Sequence, residues 1–148
     1  MENSFRSINA LLGAAAIVLL AACGPTPASA QEVTLEGVHL DIANTAMDTS
    51  FPAGCSGEAP ACVQAQEGNK ILSVTFQPRD LPKGQMLAYK NLPAVSVTTQ
   101  DGTPVQYTLY KYDNVAHTLM LGFEVPDNAV VAGLNWANSK GIPLQAAP

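Results

Sequence analysis

From residue 33 onward apolar side chains recur at every second position, and this period of two limits what the chain can fold into. Within 117–125, Leu119, Leu121, Phe123 and Val125 alternate with Thr118, Met120, Gly122 and Glu124. Such alternation belongs to a β-strand with one buried face. The pattern recurs in Val33 and Leu35, then in Val38, Leu40 and Ile42, where a one-residue phase slip at Gly37 predicts a β-bulge. Residues 70–77 place Leu72, Val74 and Phe76 on one face before Pro78 ends the strand. Shorter strands are predicted at 85–90, 94–99 and 142–144, a return strand at 105–112, and a further one in which Val130, Ala132, Leu134 and Trp136 alternate. Asp101-Gly102 predicts a type I′ hairpin, and Pro126-Asp127-Asn128 a turn. No segment after residue 32 sustains a helical repeat. Residues 43–69 read as a long irregular stretch with room for one helical turn at 58–66. The expectation is an all-β, immunoglobulin-like two-sheet antiparallel sandwich of about seven to nine strands over residues 33–148. A chain of 148 residues has room for one such domain.

Residues 1–22 have a different character. Ala10 to Ala22 is an apolar run, preceded by Arg6. It is shorter than the ~20 residues a spanning helix needs and fits the apolar region of an export signal. Leu20-Ala21-Ala22-Cys23 resembles a bacterial lipobox, which implies cleavage before Cys23 and lipidation of its thiol and new amine. Cleavage after Ala28-Ser29-Ala30, giving a soluble protein that starts at Gln31, is the competing route. With lipid on Cys23, residues 23–32 form a Pro- and Ala-rich tether, and its nine residues after the Cys reach roughly 25–30 Å. The acyl chains then supply the membrane attachment. Gly24, in place of Asp, implies by resemblance to enterobacterial sorting an outer-membrane or cell-surface location.

Cys55 and Cys62 remain as an even pair in an exported chain. Their polar C-x6-C segment, with Gly57 and Pro60 to turn it, predicts a structural disulfide. A metal site would need further ligands nearby, and a redox pair has tighter spacing.

Ile71-Leu72-Ser73-Val74-Thr75-Phe76, the Asp101-Gly102 hairpin, and Gly122-Phe123-Glu124-Val125-Pro126 followed by Val131-Ala132-Gly133-Leu134-Asn135-Trp136 resemble the telokin-like immunoglobulin-fold domain of bacterial exported lipoproteins. The resemblance covers about residues 33–144. It implies a fold and a location at the cell envelope. That family is largely of unknown function, so the resemblance implies no catalytic residues.

A net charge of -5 provides no basic footprint for nucleic acid. No G-x-S-x-G and no phosphate-cradling glycine loop occurs. Asp41, Asp48, Glu58, Asp80, Asp101, Asp113 and Glu124 are scattered, as surface and turn carboxylates are. No enzyme activity, catalytic residue, cofactor or metal ligand is expected. The expected role is non-enzymatic binding at the envelope, with a protein or glycan partner. Two candidate surfaces emerge. Tyr110 and Tyr112 share a face, and stand outward if Tyr107 and Leu109 point to the core. The disulfide-closed 43–69 loop is the other. The alternative is a periplasmic copper binder, using His117, Met120, His39, Met47 and Met86 as imidazole and thioether ligands. In a strand, however, positions three apart face opposite ways.

Overall fold

The computed structural model describes residues 33–144, which form β-strands, turns and loops without a helix. The predicted signal segment, Cys23 and the tether lie outside the described residues, as do 145–148. Nine strands make two antiparallel sheets. The first contains, in order, β1 (Val33–Leu35), β2 (Val38–Asp48), β5 (Asn69–Pro78), β9 (Thr118–Pro126) and β8 (Leu109–Asp113). The second contains β11 (Ser139–Ile142), β10 (Val131–Trp136), β6 (Val95–Thr99) and β7 (Pro104–Gln106). Two short strands, β3 (Ser50–Phe51) and β4 (Val63–Gln64), pair separately. Strands β2, β5, β9 and β8 stand in the A-B-E-D order of an immunoglobulin domain, and β11, β10, β6 and β7 in the order G-F-C-C′. The predicted sandwich is therefore the observed fold.

The alternating residues build its core. Leu72, Val74 and Phe76 of β5 and Leu119, Leu121, Phe123 and Val125 of β9 face Val95, Val97, Leu134 and Trp136 of the second sheet, all buried. Phe76 and Trp136 meet across the gap with ring centroids 5.1 Å apart. The Trp136 indole N–H donates to the Thr34 carbonyl at 2.8 Å, tying β10 to β1.

Several expectations are corrected. The slip at Gly37 is not a bulge. Glu36 and Gly37, with φ of 47° and 82°, form a two-residue turn pairing Leu35 with Val38, and the bulge lies between Ile42 and Asn44. At Asp101-Gly102 only Gly102 takes positive φ. Gly102 N–H donates to Thr99 O and Thr99 N–H to Thr103 O, a three-residue loop in which glycine supplies the left-handed step. The expected return strand 105–112 is two strands, because the chain leaves the second sheet after Gln106 and joins the first at Leu109. Unbroken alternation cannot distinguish one long strand from one that changes sheets. Residues 85–90 form no strand but part of the 79–94 loop, and Pro82, Gly84 and Pro93 flank them. Their alternation arises because Leu87 is buried in the core while Tyr89 packs against it. A bulge around Ala132 turns Val131 toward the core and leaves Val130 exposed. The last strand is 139–142 and not 142–144.

The 43–69 stretch is also more ordered than expected. Residues 43–48 continue β2, and 49–68 fold as a flap. Cys55 and Cys62 form the predicted disulfide, with Cα atoms 5.7 Å apart. Phe51, Cys62 and Ile71 are buried yet stand apart from the main core cluster. They mark a small second core between the flap and the outer face of the first sheet. Gly122 makes this cover possible, because a Cβ there would lie 2.9 Å from the Phe51 ring and 3.0 Å from the Leu109 Cβ.

Candidate functional site

The connections divide between the two ends of the sandwich. One end holds the flap 49–68 and the turns 100–103 and 127–130, joined by bonds from Asp127 N–H to Gly68 O and Gln100 N–H to Val130 O. The other end holds the long 79–94 loop, the 114–117 turn and the 137–138 turn, where Ala137 N–H donates to Ala94 O. In variable immunoglobulin domains the corresponding end carries the recognition loops.

The 79–94 loop is tied down where it leaves β5. Arg79 forms a two-point pair with Asp41. The carboxylate of Asp80 accepts from His39 twice, from the backbone N–H at 2.7 Å and from Nδ1 at 2.5 Å. Arg79 N–H donates to His39 O. Further along, Tyr89 stacks on Tyr112 with centroids 4.5 Å apart and planes 14° off parallel, and lies 6.2 Å from Tyr110. Lys90 Nζ sits 5.9 Å from the Tyr89 ring centroid. Leu87 N–H donates to the Tyr112 hydroxyl oxygen at 3.1 Å, and that hydroxyl lies 3.1 Å from His117 Nδ1.

The tyrosine pair is thus brought into a site, though not as expected. Tyr110 and Tyr112 do share a face. It is the face of Leu121 and Leu119, their partners on β9, so it turns toward the sandwich interior, whereas Leu109 faces outward beneath Phe51. The sheet change after Gln106 reverses the predicted sides. Tyr112 packs against the core, and Tyr110, at the sheet edge, stays 57% exposed. Tyr89 is the member that sequence inspection missed, because 85–90 read as a strand of its own.

Beside this row of rings lies a cavity of about 320 Å³ whose walls include Gln77, Arg79, Lys83, Gln85, Ala116 and His117. A larger one of about 510 Å³ at the opposite end has Thr99, Gln100, Asp101, Val105, Ala129 and Val130 in its walls. His117 holds a left-handed backbone, φ 55°, just ahead of β9. Asp113 secures that turn by accepting from Val115 N–H and Ala116 N–H.

The other candidates are spread out. Among the described residues no three His, Cys, Asp or Glu side chains gather where they could hold a metal. Of the five copper candidates, His39 and Met47 are separated along β2 by about 25 Å at strand rise. Met120 stands opposite Thr75 and Lys111 on β9, and Met86 is in the 79–94 loop. The flap, the other predicted surface, keeps exposed residues at its tip, 53–61, and again at Thr49, Gln64 and 66–68.

Most of the scattered carboxylates serve local structure. Glu124 accepts from Gln66 N–H and Asn69. Bonds to Arg79 hold the Asp41 carboxyl below its ordinary range, and bonds from Gly54 and Thr49 amides do so for Asp48. His39 does this for Asp80, the Thr99 hydroxyl for Asp101, and the Ala116 and Val115 amides for Asp113. A carboxyl with a depressed folded-state pKa contributes stability above its unfolded pKa and loses it as pH falls through the folded value. The melting temperature is therefore expected to hold from neutrality down to about pH 4 and to fall in more acidic buffer, measurable by thermal melts over pH 2–7. Asp80→Asn and Asp113→Asn together should flatten that acid limb.

Compared with protein-family models, with curated proteins and with solved structures, the chain matches none of them.

Proposed function

We propose that this chain is a lipoprotein of the bacterial cell envelope, held through lipid on Cys23, whose sandwich is a non-enzymatic binding module presenting the end formed by 79–94 and 114–117. The anchoring half of the reading rests on Leu20-Ala21-Ala22-Cys23 and on the resemblance to telokin-like exported lipoproteins. The binding half is carried by one observation. Of five exposed large apolar side chains among the described residues, Tyr110, Met86 and Val115 belong to this end, at 57%, 58% and 92% exposure. Large apolar side chains gathered at one end of a rigid scaffold suit a contact surface, and tyrosine is prominent among interface anchors. No helix among the described residues is long and apolar enough to cross a membrane.

The test is retention of envelope components. The mature protein, immobilised and exposed to a solubilised envelope extract, is expected to retain a saturable component. Tyr110→Ala should weaken that retention about tenfold, the scale of a hot-spot truncation, while its melting temperature stays near wild type. Retention unaffected by Tyr110→Ala and Val115→Ser would place binding elsewhere on the domain.

A further inference from the structure

The cavity of about 320 Å³ at this end has in its walls one cation, Lys83, without an ion pair among the described residues. Its walls include the cationic side chains Arg79 and Lys83, the donor Gln85, His117, and Gln77, whose amide already donates to Ala116 O, and no carboxylate among the described residues, in a chain whose net charge is -5. The acidic groups nearest in sequence are each held by a partner. Asp41 is paired with Arg79, Asp80 with His39, and Asp113 with the amides of its own turn. Arg79 is accordingly held at the rim in its pair. Lys83 is exposed on the Pro82–Gln85 turn, with no ion pair among the described residues.

His117 is oriented for the same task. The Tyr112 hydroxyl accepts from Leu87 N–H and can give its own proton to Nδ1 of His117. A neutral imidazole that accepts this proton at Nδ1 carries its own on Nε2, which makes that nitrogen a donor. The stack of Tyr112 on Tyr89 and the left-handed backbone at His117 fix this relay on two different elements. Cationic and neutral donors gathered around a preformed space, with no competing carboxylate, suit an oxyanion.

We propose that this cavity binds the anionic group, a carboxylate or a phosphate, of the module's ligand, with Lys83 as the charge partner and His117 as the oriented donor. The proposal rests on the reading of this end as the binding end, and it adds the ligand's chemistry.

The experiment is an NMR titration of the ¹⁵N-labelled mature protein with inorganic phosphate, glucuronate and, as a neutral control, glucose. Phosphate or glucuronate should shift the amides of Gly84, Gln85 and Ala116 saturably, and glucose should not. The stronger of the two anions identifies the source of the charge. Lys83→Gln should weaken the response about tenfold. His117→Asn, which keeps a residue tolerant of left-handed backbone, should weaken it too. Glu58→Gln at the flap tip should leave it unchanged. No saturable shift with either anion, or the same shift in Lys83→Gln as in wild type, would overturn the proposal. Loss of envelope retention in Tyr110→Ala without any anion response would remove the anion site and leave the binding-end reading standing. An anion response with retention indifferent to Tyr110 would do the reverse.

Discussion

Trp136→Ala is expected to destabilise the domain by about 3–5 kcal/mol, the range for deleting a large buried aromatic. The indole is 2% exposed, packs on Phe76 of the opposite sheet and donates to Thr34 O of β1. Truncation leaves a cavity between the sheets, and it orphans a carbonyl at the point where the shortest strand of the first sheet is held. A domain of this size should lose roughly 15 °C in melting temperature, and it should unfold outright if its total stability lies at the low end for proteins. Trp136→Phe separates the two contributions. It keeps most of the ring contact and loses the N–H, so it should cost only about 1–2 kcal/mol. Thermal and urea denaturation of both variants measures the difference, and equal losses would assign the main role to the hydrogen bond.

Removal of the disulfide, as Cys55→Ser with Cys62→Ser, is expected to cost about 2.5 kcal/mol by loop-closure entropy. The second core between flap and sheet sets where the damage is felt. Phe51 and Ile71 are 4% and 0% exposed because the flap covers the outer face of the first sheet. The flap retains its β3–β4 pairing and the Asp48 bonds to Thr49 N–H and Gly54 N–H. Hydrogen exchange should therefore accelerate in 49–68 and on the outer face of β9 around Gly122, while Val74, Val97 and Leu134 remain protected. Uniform acceleration across both sheets would show that the flap is part of the main folding unit.

The strands of the core were legible because one-sided burial leaves a period of two, as in Leu119 to Val125 and in Leu72 to Phe76. The turns and crossings were less so. Alternation through Val105, Tyr107 and Leu109 continues across a change of sheet, so the pattern alone inverts the facing of Tyr110 and Tyr112. Leu87 and Tyr89 alternate like a strand although they belong to a loop that covers the core, so the Tyr89–Tyr112 stack could not be anticipated. The flap did leave a trace: Ile71 beside Leu72 puts apolar side chains on both faces of β5, which calls for cover on the outside. Cys55 and Cys62 were readable from spacing alone. The cavity was not, since Gln77, Lys83, Gln85 and His117 come together only through the path of two loops.

The most direct test of the claim that this is a lipid-tethered envelope module is the mass of the mature N-terminal peptide from membrane-fraction protein. The account predicts a peptide beginning at Cys23 and carrying diacylglyceryl and N-acyl groups, and its loss together with release from membranes in Cys23→Ser. An unmodified N-terminus at Gln31, on protein recovered in the soluble fraction, would contradict it.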